Sequence, residues 1–134
     1  MAASDGQELF NERRRKCGPI IREALDYLIK VAETAGPDVK PPIYERNGNG
    51  PKYSNGSGQF CVLHPKPDLH VGAYLDHERT NRPALIAALN AAHLTFTRED
   101  TDGPWVRITN MQEAKRFESL IVRAYNERSA RRRY

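Results

Sequence analysis

The chain has 134 residues, of which 39% are hydrophobic and 28% charged, with a formal net charge of +4. That length suits one domain burying about 65–70% of its unfolded surface and leaves no room for a second core of similar size. Two cysteines without regular spacing exclude a disulfide framework, and no apolar run approaches the ~18 residues of a membrane span or the core of a signal peptide, so the expectation is a cytoplasmic protein with no membrane association.

Ser4 or Asp5 is placed to cap a short helix through Glu8, Leu9, Phe10 and Glu12. Gly18-Pro19 interrupts it, because proline lacks the N–H that a continuing helix donates. Residues 1–18 thus read as a basic N-terminal segment carrying Arg13, Arg14, Arg15 and Lys16. Pro19 suits the first turn of a second helix, in which Ile20, Ile21, Ala24, Leu25, Leu28, Ile29 and Ala32 form one apolar stripe and Gly36-Pro37 supplies the cap and stop. The Pro-, Gly- and Asn-rich stretch 40–58 reads as loop, apart from a short strand at Ile43–Arg46. Within it, Gly50-Pro51-Lys52-Tyr53-Ser54 lacks both the spacing and the following helix of a phosphate-binding loop.

Gln59–His64 and Leu69–Asp76 read as a hairpin joined by Pro65-Lys66-Pro67-Asp68. Symmetric closure pairs His64 with Leu69, Val62 with Val71 and Phe60 with Ala73 on the core side. The other face then carries Gln59, Cys61, Leu63, His70, Gly72 and Tyr74. Asn81 is expected to cap a helix with Arg82-Pro83 in its first turn and Leu85, Ile86, Leu89 and Ala92 inward. Leu94–Arg98 returns as a strand, Glu99–Gly103 turns, and Pro104–Thr109 alternates, Val106 and Ile108 opposing Trp105, Arg107 and Thr109.

Asn110 and Glu113 have capping-box spacing. The helix they open places Met111, Ala114, Phe117, Leu120, Ile121, Ala124 and Tyr125 on one stripe and Lys115, Arg116, Glu118, Arg123 and Glu127 toward water. A basic tail at 129–134 contains Arg131, Arg132 and Arg133. The order of elements predicts a single α+β domain over 19–128, a small antiparallel sheet packed by N-terminal, middle and C-terminal helices.

Three chemistries deserve weighing against this outline. Cys61, His64, His70 and His77 lie within a short span, but Cys61 and His64, three apart on a strand, point to opposite faces, so no metal site is expected. Cys61 as a nucleophile needs a nearby base; His70 is only a diagonal neighbour, and no oxyanion donor is evident. Glu99, Asp100 and Asp102 cluster in a turn, where such residues serve the backbone. No catalytic centre and no cofactor are expected.

Binding offers more. If the Trp105 strand joins the hairpin's sheet, Trp105, Arg107, Tyr74 and His70 share the face opposite the core, and aromatics interleaved with cations suit bases and phosphates. If helices cover both faces, Trp105 is instead a second layer of core. The basic ends, Arg13 to Lys16 and Arg131 to Arg133, either attract polyanions or are simply solvated.

The segments GPDV (36–39), FCVLHPKPDLHVGAYLD (60–76), GPWVRI (103–108) and LIVRAYNE (120–127) resemble small bacterial domains of unknown function that place a helix, a hairpin, further strands and a closing helix ending in an Ala/Ser-Tyr pair. They are also similar to the MmcQ/YjbR-like family, whose fold has been proposed as a double-wing DNA-binding motif. The resemblance spans about residues 19–127 and implies a non-catalytic α+β domain with a nucleic-acid role, carried by Trp105 and the pair Ala124-Tyr125. The glycine-rich loop and the Arg-rich ends depart from the family. The expectation is therefore nucleic-acid binding through the basic ends and the aromatic face, with a protein–protein interaction module, including a homodimer, as the alternative.

Overall fold

The computed structural model of the chain describes residues 5–46, 50–67, 69–97 and 103–131. Two helices lead, α1 (Asp5–Lys16) and α2 (Pro19–Glu33), followed by four strands, β1 (Ile43–Tyr44), β2 (Pro51–Asn55), β3 (Gly58–Lys66) and β4 (His70–Leu75). A 3₁₀ turn at Arg79–Asn81 enters α3 (Arg82–Ala91), and β5 (Thr95–Phe96), β6 (Val106–Ile108) and α4 (Met111–Arg131) complete the chain. The strands form one sheet in the order β1-β2-β3-β4-β6-β5. Every adjacent pair is antiparallel, so the architecture is α+β.

One face of the sheet presents Tyr53, Cys61, Leu63, Val71, Ala73, Leu75, Val106 and Ile108 to the helices. Apolar residues of all four helices, Phe10 of α1 included, join that face in a single buried cluster. The α4 stripe is as the periodicity predicts: Ala114, Phe117, Leu120, Ile121, Ala124 and Tyr125 are all buried. Its start is capped as the sequence suggests, with one change. Asn110 Oδ1 accepts from the Glu113 N–H at 2.9 Å, but Glu113 reaches back to the N–H of Thr109, 2.7 Å away, rather than to that of Asn110.

Three expectations about the helices need correction. In α2, Ile20 is 66% exposed and Val31 is buried in its stead, because the stripe begins a turn later than the first isoleucine. That helix ends with Thr34, whose N–H and hydroxyl both donate to the Lys30 carbonyl, so Gly36 is not its cap. Asn81 makes no side-chain cap to α3.

The larger corrections concern the sheet. The stretch read as loop contains β2, an interior strand paired on both sides, with Tyr53 fully buried. Its turn into β3 is built on an Asx turn, Asn55 Oδ1 accepting from the Ser57 N–H at 2.8 Å, and Gly58 at φ +134° takes a conformation that side chains rarely tolerate. The β3–β4 hairpin does not close symmetrically about four loop residues. Strand β3 continues through Pro65 to Lys66, so His64 pairs with Gly72 instead of Leu69. A shift of three residues is odd, and an odd shift turns every side chain of the strand over. Cys61 and Leu63 therefore face the core, while Val62 and His64 lie on the opposite face with His70, Gly72 and Tyr74.

Among the described residues no helix is long and apolar enough to cross a membrane.

Candidate nucleic-acid interface

The sheet face turned away from the helices collects side chains from three neighbouring strands. Strand β3 contributes His64 and Lys66, β4 contributes His70, Gly72 and Tyr74, and β6 contributes Arg107, which sits opposite Gly72. Trp105 immediately precedes β6, and its backbone stays in the sheet: its carbonyl accepts from the Thr97 N–H at 2.9 Å and its N–H donates to Thr97 Oγ1 at 3.2 Å. The reading in which the Trp105 strand joins the hairpin's sheet is thus realised. His70, Tyr74, Trp105 and Arg107 share one face.

Trp105 reaches inward across β4. A Cβ on Gly72 would lie 3.7 Å from Trp105 Cε3, so the indole lies over the one position of β4 that has no side chain. Its ring centroid is 5.3 Å from Tyr74 and 4.7 Å from His64, both tilted, at 39° and 32° between planes. These separations are those of favourable aromatic pairs. The result is a shelf of three rings, half-buried rather than sealed, because no helix packs above it among the described residues.

Around the shelf is a shallow depression of about 280 Å³, bordered by His64, Lys66, His70, Gly72, Trp105 and Arg107. None of its described lining residues is acidic. The field this creates is visible in the histidines. Burial, then Lys66, Lys52 and Arg13, depress the His64 imidazole to about 4, with Glu45 opposing. Burial, Arg107 and Lys66 lower His70 in the same direction. Burial first, and the neighbouring cations second, disfavour the protonated form of both rings.

The N-terminal basic run divides. Arg14 is committed to Asp26 of α2 through two parallel bonds, Nε to Oδ1 at 2.7 Å and a terminal nitrogen to Oδ2 at 2.5 Å. Lys16 pairs with Glu12 one turn back at 3.2 Å. Arg15 is exposed, and Arg13 lies close enough to His64 to act on its charge, which connects α1 to the aromatic shelf. The Arg131 side chain, Arg132 and Arg133 lie outside the described residues.

Sequence reasoning missed His64, Lys66 and Lys52. The last is in register with Val62 on this face and is ion-paired to Glu45. The signal for His64 and Lys66 was the alternation of Val62, His64 and Lys66, which becomes visible once Pro65 is allowed inside the strand; Lys52 lies on β2, which was read as loop.

Among the described residues the cysteine and histidine chemistries find no geometry, and Glu99, Asp100 and Asp102 lie outside those residues. Cys61 is fully buried on the core face, where burial pushes its thiol up, and His70 is on the opposite side of the sheet. His77 is occupied by local structure, its Nδ1 2.8 Å from the Leu75 carbonyl and its Nε2 accepting from Arg82 Nε at 3.1 Å. Among the described residues no group of three His, Cys, Asp or Glu side chains converges to hold a metal. The chain matches no family model, and no curated protein and no solved structure shows significant similarity to it.

Proposed function

We propose that the protein is a non-catalytic nucleic-acid-binding domain whose contact surface is the sheet face around Trp105. The observation that carries this reading is the position of the indole, laid over Gly72 against Tyr74 and His64 and bordered by Lys66, His70 and Arg107. Apolar rings ringed by cations suit a ligand that is flat and apolar in one part and anionic in another, which describes a nucleotide chain. The resemblance read from the sequence to MmcQ/YjbR-like domains implies the same role, although no family model matches the chain. Of the basic ends, Arg13, whose charge acts on His64, is the one placed to add a phosphate contact to this face, whereas Arg14 is held by Asp26.

Fluorescence anisotropy of labelled oligonucleotides across a salt series tests the reading. Each phosphate contact removed flattens the fall of log affinity with log salt by about 0.7 on single strands and about 0.9 on duplex. Lys66→Ala and Arg107→Ala should each show such a change, and Arg14→Ala should not. Absence of binding at low salt, or slopes untouched by both face variants, would leave a protein partner as the better account.

A further inference from the structure

We infer that the occupant of this face is single-stranded, taking one or two unpaired bases onto the Trp105 shelf while Lys66 and Arg107 hold the flanking phosphates. This rests on the nucleic-acid reading above and narrows it. The first ground is where the aromatic surface lies. Trp105 is stretched across β4 and stacked beside Tyr74 and His64, so it presents a ring to a ligand only if the ligand brings a free ring to it. Bases inside a duplex are already stacked and paired, and extruding one costs a few kcal/mol that a single strand does not spend.

The second ground is shape. The depression is shallow and lined by strand residues and the flanking Thr97 and Trp105, with no helix among its described walls. A major groove about 12 Å wide is read by an element that projects into it, a helix or a two-stranded ribbon. A sheet face that carries no projecting helix or ribbon has nothing to insert. At about 280 Å³ the space lies just below the range of small-ligand sites, about 300–1,000 Å³, which limits it to about one or two bases.

The third ground is the arrangement of charge. Lys66 at the end of β3 and Arg107 in the middle of β6 stand on opposite sides of His70 and Gly72, since β4 separates their strands. A strand crossing β4 with its bases down on the shelf meets a cation on each side. His70, between the two, is influenced by both.

The test compares three labelled 12-mers at low salt: an oligothymidylate, a duplex of mixed sequence, and an abasic strand that keeps the phosphates without the bases. The oligothymidylate is expected to bind most tightly. Trp105→Ala should weaken it about 5- to 150-fold, the equivalent of one stacked base at about 1.4 kcal/mol per tenfold, and leave its salt slope and the abasic affinity within about twofold. Trp105→Phe, which retains a ring over Gly72, should recover most of the loss and guards against a variant that merely misfolds. Because Trp105 is the only tryptophan in the chain, its fluorescence should be quenched by oligothymidylate and not by the abasic strand. If duplex binds as tightly as the single strand and Trp105→Ala alters neither, the inference is overturned while nucleic-acid binding stands. If none of the three polymers binds, the broader reading falls and this one with it.

Discussion

Gly36 and Tyr125 occupy adjoining space so closely that a Cβ added to Gly36 would lie 2.1 Å from the phenol carbon Cζ. The phenol has nowhere to retreat. Its hydroxyl donates to Asp38 Oδ1, and its ring meets Phe60 edge-on at 5.4 Å and 88°. The glycine after α2 is thus required by a tyrosine near the end of α4, 89 residues later (125 − 36). Gly36→Ala should cost about 1–3 kcal/mol, the range of an overpacked core, measured by urea denaturation. A change within about 0.5 kcal/mol would mean that the ring relaxes freely.

The neighbouring Asn55 is a buried polar residue, 1% exposed, with every contact assigned. Its amide donates to Ser129 Oγ at 3.0 Å and toward the Tyr125 carbonyl at 3.4 Å, while its oxygen holds the β2–β3 turn. Asn55→Ala should destabilise by about 1–3 kcal/mol by leaving these groups unpaired. Asn55→Asp keeps the acceptor for the turn but loses the donors and buries a carboxylate against the Tyr125 carbonyl, so it should cost at least as much as Ala, and a loss within about 0.5 kcal/mol for both would mean the side chain is not sealed.

At the other end of α4, Asn110→Ala should cost about 0.5–2 kcal/mol by removing the cap. Thermal unfolding is the readout. Glu113 accepts from both the backbone and the hydroxyl of Thr109, so Glu113→Ala should also destabilise, and the double variant by less than the sum of the two single losses. Additive effects would count against the shared cap, since groups that bond one helix terminus are expected to couple.

Imidazole NMR should place the His64 midpoint near 4 and His70 below its usual range. The unfolded ring titrates near 6.5, so between the two values the unfolded chain holds more protons than the folded one. The stability owed to neutral His64 is complete above about pH 6.5 and is lost as pH falls toward 4. Bound phosphates would offset Lys66, Lys52 and Arg13 and raise the midpoint. A free-protein value near 6.5 would mean that His64 is solvated instead of packed against Trp105.

The helices were legible because their apolar spacing repeats over several turns, as in Ala114 to Tyr125. Strand β4 was legible in part: Val71 and Ala73 are on the observed core face, whereas Leu69, read with them, precedes the strand and is 67% exposed. Strand β2 was not, since Pro51-Lys52-Tyr53-Ser54-Asn55 offers one apolar side chain and its place is decided by pairing on both sides. The β3 register depended on whether Pro65 belongs to the ladder, a tertiary matter that local propensity argues against. That single choice put His64 on the wrong face. His70, Tyr74, Trp105 and Arg107 were nevertheless brought together correctly, because β4 and β6 were read in the right phase.

Both outer strands, β1 and β5, have two residues each. An arriving chain that tried to lengthen the sheet sideways would find about one outward N–H and one outward carbonyl to grip at either border, and the Pro41-Pro42 pair ahead of β1 offers no N–H at all. Lateral accretion of copies into ribbons or fibrils is therefore discouraged by the brevity of its margins, and concentrated solutions should stay clear where a protein with long bare borders would gel.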